Sequence, residues 1–229
     1  MNKKLAIVYK KAFDNKPLLD SILLEVSKAT GAKAISNLKD PKTTLKKVGE
    51  KQEESPDRHY TLDDVNDVAR GRLVYGTLKE MYRGVQALKT DLERRDQVQV
   101  VKTDDFFKHP EDGYTGYHID LMFPNGQHSE IQLHTVNSYA ATLATHPIHA
   151  RADHEQMTDQ DKAKNQAIND RINKLNPNQA AQIALLLDAK NQPAQAKAQL
   201  SALQTGLQGQ QAASEGQQTN VNLGGQNGA

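Results

Sequence analysis

Asp67 and Glu130 are the carboxylates around which this sequence could assemble a phosphoryl-transfer chemistry. Between them lie an acidic-then-basic cluster (DVARGR, Asp67 to Arg72) and a Gly-Tyr loop (DGYTGYH, Asp112 to His118). Glu130 itself opens a strand-like run (EIQLHT, Glu130 to Thr135). Two separated carboxylates can hold Mg²⁺, cationic side chains can hold phosphates, and a tyrosine beside a glycine can stack on a base. Phosphoryl transfer asks for that set, because it is mostly positioning and charge neutralisation. Asp67 is expected where a short helix gives way to a strand, a junction that can project into a cleft. Glu130 shares a strand face with Gln132 and His134, while Ile131 and Leu133 point to the core. The same alternation fits a half-exposed sheet face with an ordinary surface acid, and on the residues alone the two readings stand level.

The cations are similarly open to two readings. Lys39, Lys42, Lys46 and Lys47 fall mostly at three- and four-residue steps, a helix face that either grips a triphosphate or is simply solvated. Arg70 and Arg72 are one strand step apart and face the same side near Asp67. Gly113 allows close backbone approach to a ligand, and Tyr114 offers a ring face whose stacking on a base is worth about 1–3 kcal/mol. The adjacent aromatics Phe106 and Phe107 equally fit a loop pinned to the core.

These residues need a scaffold. Leu18, Leu19, Ile22, Leu23 and Val26 recur at helical spacing before Gly31, which predicts a helix over Pro17 to Thr30. Lys33 to Asn37 reads as extended, and Pro41 opens a basic helix reaching Lys51. Glu53 to Arg58 reads as a loop. Thr61 N-caps a short helix ending near Asp67, and Arg72 to Tyr75 reads as a strand. Thr77 and Glu80 form a capping box ahead of an amphipathic stripe, Leu78, Met81, Tyr82, Val85, Leu88 and Leu92. Gln97 to Lys102 is rich in strand formers. Tyr117, Ile119, Leu121 and Phe123 alternate with polar residues, Pro124-Asn125-Gly126 turns the chain, and Gln127 to His134 returns as the partner strand. Helix resumes near Asn137. The expected fold is α+β: a small mixed or antiparallel sheet with flanking helices and a C-terminal helical extension. Residues 1–157 are expected to form the main domain and 158–207 the Ala/Gln/Asn-rich extension. A Gly/Gln-rich tail at 208–229 is expected to be disordered.

Composition sets further bounds. With 28 acidic against 29 basic residues, the chain is no polycationic nucleic-acid binder. Cysteine is absent, which removes disulfides, thiolate catalysis and Cys-based zinc sites and fits a reducing cytosol. The apolar run Leu5 to Tyr9 is too short for a signal-peptide core or a membrane span, so a soluble cytoplasmic protein is expected. His146, His149 and His154 stand close in sequence, but Pro147 breaks their register, and a helix end is expected there rather than zinc.

Taken in order, the segments from Gly31 to Asp153 resemble the synthetase domain of the RelA/SpoT family. That family's basic signature, Arg-x-Lys-x3-Ser-x3-Lys, is met by Lys39, Thr43 and Lys47, with Asn37 in place of the Arg. Its D-(I/V)-x-G-x-R pattern matches Asp67 and Arg72, with Arg70 at the glycine position and Gly71 one later. Its G-Y-x-S-x-H loop matches Gly113, Tyr114 and His118, with Gly116 where Ser is usual. Its E-(V/I)-Q-(I/L)-R-T strand matches Glu130, Gln132 and Thr135, with His134 replacing Arg.

The resemblance implies a nucleotidyltransferase-like fold and transfer of pyrophosphate from ATP to the 3′-hydroxyl of GDP or GTP. Asp67 and Glu130 would hold Mg²⁺, and Glu130 would help deprotonate the acceptor. Lys39, Thr43, Lys47, Arg70 and Arg72 would bind ATP. Tyr114 would stack on the acceptor base, with His118, Gln132 and His134 nearby. Asn37 removes a planar cation that could stack on adenine, and His134 exchanges a permanent charge for a pH-sensitive one. The length leaves no room for the hydrolase and regulatory regions of long family members, which points to a small synthetase or a toxin-like relative. A relative of the latter kind would use adenine nucleotides or the tRNA 3′ end as acceptor and have a neutralising antitoxin. The extension would serve oligomerisation or be a solvated appendage. A nucleotide- or RNA-binding module without turnover is the competing class, and retention of both acids argues against it.

Overall fold

A computed structural model describes residues 3–54, 57–152 and 157–191 of the chain. Two compact units divide it, Met1–Ala184 and Leu185–Ala229, and the sheet and candidate site belong to the first. The expected tail at 208–229 and the extension beyond residue 191 lie outside the described residues.

The first helix, α1, spans Lys3–Thr30, not the expected Pro17 to Thr30. Its stripe Leu5, Val8, Ala12, Leu19, Ile22, Leu23 and Val26 is continuous through Pro17, so burial outweighs the one backbone hydrogen bond that an internal proline removes. Gly31 ends it in the left-handed region at φ 74°, its N–H donating to Ser27 O at 2.8 Å. Strand β1 (Lys33–Leu38) follows, then α2 (Pro41–Glu54), which extends past Lys51 through two residues expected in a loop. Asp40 starts α2 by accepting from the N–H groups of Lys42 and Thr43.

Thr61 caps only a single 3₁₀ turn, Leu62–Asp64, rather than a helix reaching Asp67. Strand β2 covers Ala69–Tyr75 and so begins three residues before the expected start. The Thr77/Glu80 capping box opens α3 (Leu78–Glu93), as its sequence predicts. Strand β3 (Gln99–Asp105) lies two residues later than expected at its start. The alternating runs form the hairpin β4 (Tyr117–Met122) and β5 (His128–Thr135). Helices α4 (Val136–Ala152), α5 (Asp159–Asn173) and α6 (Pro177–Asn191) complete the described chain. Helix α4 runs through Pro147 and ends at Ala152, within the His146 to His154 stretch where a helix end is expected. Among the described residues no helix is long and apolar enough to cross a membrane.

The sheet is mixed and five-stranded, in the order β1-β2-β5-β4-β3. Only β2 and β5 run parallel; the other neighbours are antiparallel. One sheet face buries Leu73, Ile119, Leu121, Ile131 and Leu133 in a core shared with α1 and α3. Each such side chain contributes about 1.5–3 kcal/mol on burial. The opposite face is polar over most of its length. At one end a smaller cluster covers it, in which Val74 packs with Tyr139, Ala140 and Ala141 of α4 and Ile172 of α5.

Neighbouring leucines on α1 test this packing. Leu23 is 2% exposed and Leu24 51%. Leu23→Ala is expected to lower unfolding free energy by about 2–5 kcal/mol and Leu24→Ala by no more than about 0.5, as read by urea denaturation. Equal losses at the two positions would overturn the assignment of the α1 face.

Candidate active site

Strand register lays out the polar sheet face in two rows. In the first, Asn37 on β1, Arg70 on β2, Glu130 on β5 and Asp120 on β4 stand side by side. In the second, Ile35, Arg72, Gln132 and His118 do the same, with Asp104 of β3 beyond His118. The second row feeds the first. Arg72 Nε donates to Gln132 Oε1 at 2.9 Å, and Gln132 Nε2 donates to Glu130 Oε1 in a short hydrogen bond. Arg70 Nε donates to Asn37 Oδ1 at 3.3 Å. The glycine that stands one position late in the sequence now has a reason. Gly71 faces the core, where a Cβ would meet Leu23 at 2.6 Å, whereas Arg70 faces the polar side.

Asp67 lies in the turn before β2, beside the β1–α2 junction. A backbone hydrogen bond from Lys39 N to Val68 O, 2.8 Å, draws these segments together. The Tyr9 hydroxyl pins the same junction by donating to Lys39 O at 2.6 Å. Lys39 and Lys47 then close on separate oxygens of Asp67, at 2.9 and 3.0 Å. Burial pushes the Asp67 carboxyl up, but Lys47 and Lys39 together hold it below its ordinary value. Lys47 and Arg70 each feel the charge of both Asp67 and Glu130, and Asp67 in turn raises Glu130. The two acids therefore share one electrostatic site.

Burial also pushes Glu130 up, while the hydrogen bonds of His118 and Gln132 bring it below the usual range. His118 Nδ1 is 3.2 Å from Glu130 Oε2, and its Nε2 is 2.5 Å from Tyr114 Oη. Tyr114 makes edge-to-face contacts with Phe106, His118 and His134. Burial first, and then the charge of Glu130, keep its phenol protonated.

The structure thus gathers Lys39, Lys47, Asp67, Arg70, Arg72, Tyr114, His118, Glu130 and Gln132 on or beside one polar face. Thr43 sits exposed on the first turn of α2, and its buried neighbour Thr44 bonds the Tyr9 hydroxyl instead. His134 departs from expectation. It is fully buried, with Nδ1 at 3.1 Å from Ser138 Oγ, because α4 folds over that end of β5. Burial, then the charge of Arg72, hold its pKa well below the ordinary histidine value, so it is neutral rather than a charge that switches near neutral pH.

Two participants were missed from sequence. Asp120 stands directly opposite Glu130 and accepts from Asn66 Nδ2 at 2.8 Å. Its position on the polar face was legible in the Tyr117–Phe123 alternation. Phe106 packs on Tyr114 and His118, while its neighbour Phe107 packs on the core, so the paired aromatics divide the two roles between them. Among the described residues no three His, Cys, Asp or Glu side chains are grouped to hold a metal ion by themselves. His146 is exposed on α4, and His154 lies outside the described residues.

No protein-family model matches the sequence, and no curated protein matches it. Solved structures do. The backbone is similar to small alarmone synthetase 1 from Bacillus subtilis at 18% identity, covering 78% of this chain and 93% of that one, with a TM-score of 0.56. A GTP pyrophosphokinase family protein from Streptococcus pneumoniae also shares 18% identity over 85% of this chain and 95% of its own, with a TM-score of 0.55. A chain of the complex between the Type VI effector Tas1 and its immunity protein matches at 16% identity, over 76% of this chain and 99% of that one, with a TM-score of 0.52. The α+β fold of the small alarmone synthetases is therefore the fold of this chain.

The Asp67 clamp carries a pH signature. A carboxyl held below its unfolded value of about 3.9 adds stability that is complete above that value and lost as pH falls through the folded one. The stability gap between wild type and Asp67→Asn should therefore narrow as pH drops below about 4 in urea titrations. A gap independent of pH would refute the clamp.

Proposed function

We propose that the chain transfers the β,γ-pyrophosphate of ATP to the 3′-hydroxyl of a guanine nucleotide, GDP or GTP. The observation that carries this reading is the shared site of Asp67 and Glu130, flanked by Lys39, Lys47, Arg70 and Arg72. The fold shared with small alarmone synthetases supports it, one of which was solved bound to its product pppGpp, with a TM-score of 0.55 to this chain at 18% identity.

In this reaction the acceptor's 3′-oxygen attacks the β-phosphorus of ATP. An O–P bond forms, the α,β bridging P–O bond breaks, and AMP leaves with the electron pair. Glu130, held ionised by its His118 and Gln132 hydrogen bonds, takes the hydroxyl proton. Lys39 and Lys47 supply two ammoniums that already grip an anionic oxygen each, and a phosphate is the natural replacement for Asp67. Arg72 is held in register through Gln132 and Arg70 through Asn37, so Asn37 serves as a guanidinium acceptor where the family pattern has a cation. Tyr114 offers its ring to the acceptor base.

Mg²⁺ fits the donor set. Asp67 and Glu130 present hard carboxylate oxygens, and an ion that keeps most positions for water and phosphate needs no third protein ligand. When bound there it would neutralise phosphate charge. Release of Asp67 from its lysines is the change that loading requires.

The fold shared with a chain of the effector–immunity complex supports a second reading, a toxin-like role; its acceptor would be an adenine nucleotide or tRNA. Incubation with Mg²⁺, γ-labelled ATP and each of GDP, GTP, AMP and tRNA is expected to label the guanine nucleotides. Label in AMP or tRNA alone favours the second reading, and no transfer with nucleotide still bound identifies a binding module. Glu130→Gln should reduce turnover by about 10²–10⁴-fold with an unchanged circular dichroism spectrum. Full activity in that variant would remove the proposed base.

A further inference from the structure

Tyr114, His118 and Glu130 form a single hydrogen-bonded chain whose polarity can be read off. Glu130 is an acceptor when ionised, so the His118 proton facing it must sit on Nδ1. With Nδ1 the protonated nitrogen, Nε2 accepts from the Tyr114 hydroxyl 2.5 Å away. One tautomer satisfies both ends.

The surroundings hold that ring still. His118 stands opposite Gln132 across the β4–β5 pair, and Gln132 itself bonds Glu130. Phe106 packs against His118 with ring centroids 5.1 Å apart at 75°. At Gly116 a Cβ would lie 2.7 Å from Tyr114 Oη, so a side chain there would push the phenol off the imidazole. Gly116, the residue that departs from the family loop, is what lets the chain of hydrogen bonds close.

We infer that His118 is a positioning residue joining acceptor recognition to proton abstraction: its Nδ1 edge orients Glu130, and its Nε2 edge fixes the Tyr114 ring. An acceptor base seated on Tyr114 is thereby placed in register with the carboxylate that receives its hydroxyl proton. This inference rests on the pyrophosphate-transfer reading.

Two amide variants separate the two edges, because an Asn amide reaches the place of Nδ1 and a Gln amide the place of Nε2. His118→Asn keeps a donor for Glu130 and loses Tyr114. It is expected to hold kcat within about 3-fold of wild type and to raise the acceptor KM by about 10-fold, the scale of one hydrogen bond. His118→Gln keeps an acceptor for Tyr114 and loses Glu130, so kcat is expected to fall at least about 10-fold with the acceptor KM little changed. Tyr114→Phe should match His118→Asn, and the double variant of these two should be no worse than either alone. Nitrogen-15 NMR of the intact protein should show the Nδ1–H tautomer at His118, a reading that needs no turnover.

Equal falls in kcat and rises in KM in both amide variants would reduce His118 to a packing residue and overturn the inference. So would an Nε2–H tautomer. A wild-type chain that transfers to none of the acceptors overturns the functional reading and the coupling with it, whereas turnover with unsplit variants overturns the coupling alone.

Discussion

Parallel pairing of β2 with β5 is the constraint from which the rest of the site follows, because it joins segments about sixty residues apart in a single register. Arg70 meets Glu130 and Arg72 meets Gln132 only in that alignment. A slip of one residue would send both arginines into the core and lift Ala69 and Leu73 out of it. The buried faces forbid it: Ala69, Leu73, Ile131 and Leu133 are all 0% exposed and packed beneath α1 and α3. Apolar packing on one face thus sets the chemistry on the other.

The polar face must then tolerate its own charges. Asp120 and Glu130 are directly opposed acids, an arrangement that costs stability unless each has donors of its own. Asn66 serves Asp120, while His118 and Gln132 serve Glu130, so the pair persists. Asp67 is almost enclosed, with 12% of its side chain exposed, and two ammoniums match its two oxygens. Removing one partner from such a group costs about 3–5 kcal/mol, since a buried charge is left uncompensated. Lys39 and Lys47 are therefore the partners that let Asp67 stay charged in so enclosed a place.

Local chemistry made some of this legible from sequence and long-range contacts hid the rest. The β4–β5 hairpin was readable because period-two alternation and a Pro-Asn-Gly turn are properties of adjacent residues. The Thr77 capping box was readable for the same reason. The start of β2 was not, because Ala69, Arg70 and Gly71 have little intrinsic strand preference and become extended through pairing on both sides. The first half of α1 was hidden behind Pro17, which locally reads as a helix start. Within the site, the face shared by Glu130 and Gln132 was legible, as was the pairing of Arg70 with Arg72. The burial of His134 depends on α4 returning over β5, and the lysine clamp depends on the Lys39–Val68 backbone contact; neither leaves a local trace.

The residues at which the chain differs from the motifs it resembles support one another in the fold. With Asn at position 37, a side-chain carbonyl is available to Arg70, which occupies the place where the pattern has glycine. Displacing that glycine by one residue puts it on the core face, where Leu23 needs the room. With Gly at position 116, the Tyr114 hydroxyl can reach His118, and the neutral imidazole of His134 packs close by, its Cε1 3.1 Å from where a Gly116 Cβ would stand. An arginine at position 134 would place a guanidinium in a space that is fully enclosed and already flanked by Arg72, so neutrality there follows from the covering helix. With His134 neutral, the cations gathered on or beside the polar face are Arg70, Arg72, Lys39 and Lys47.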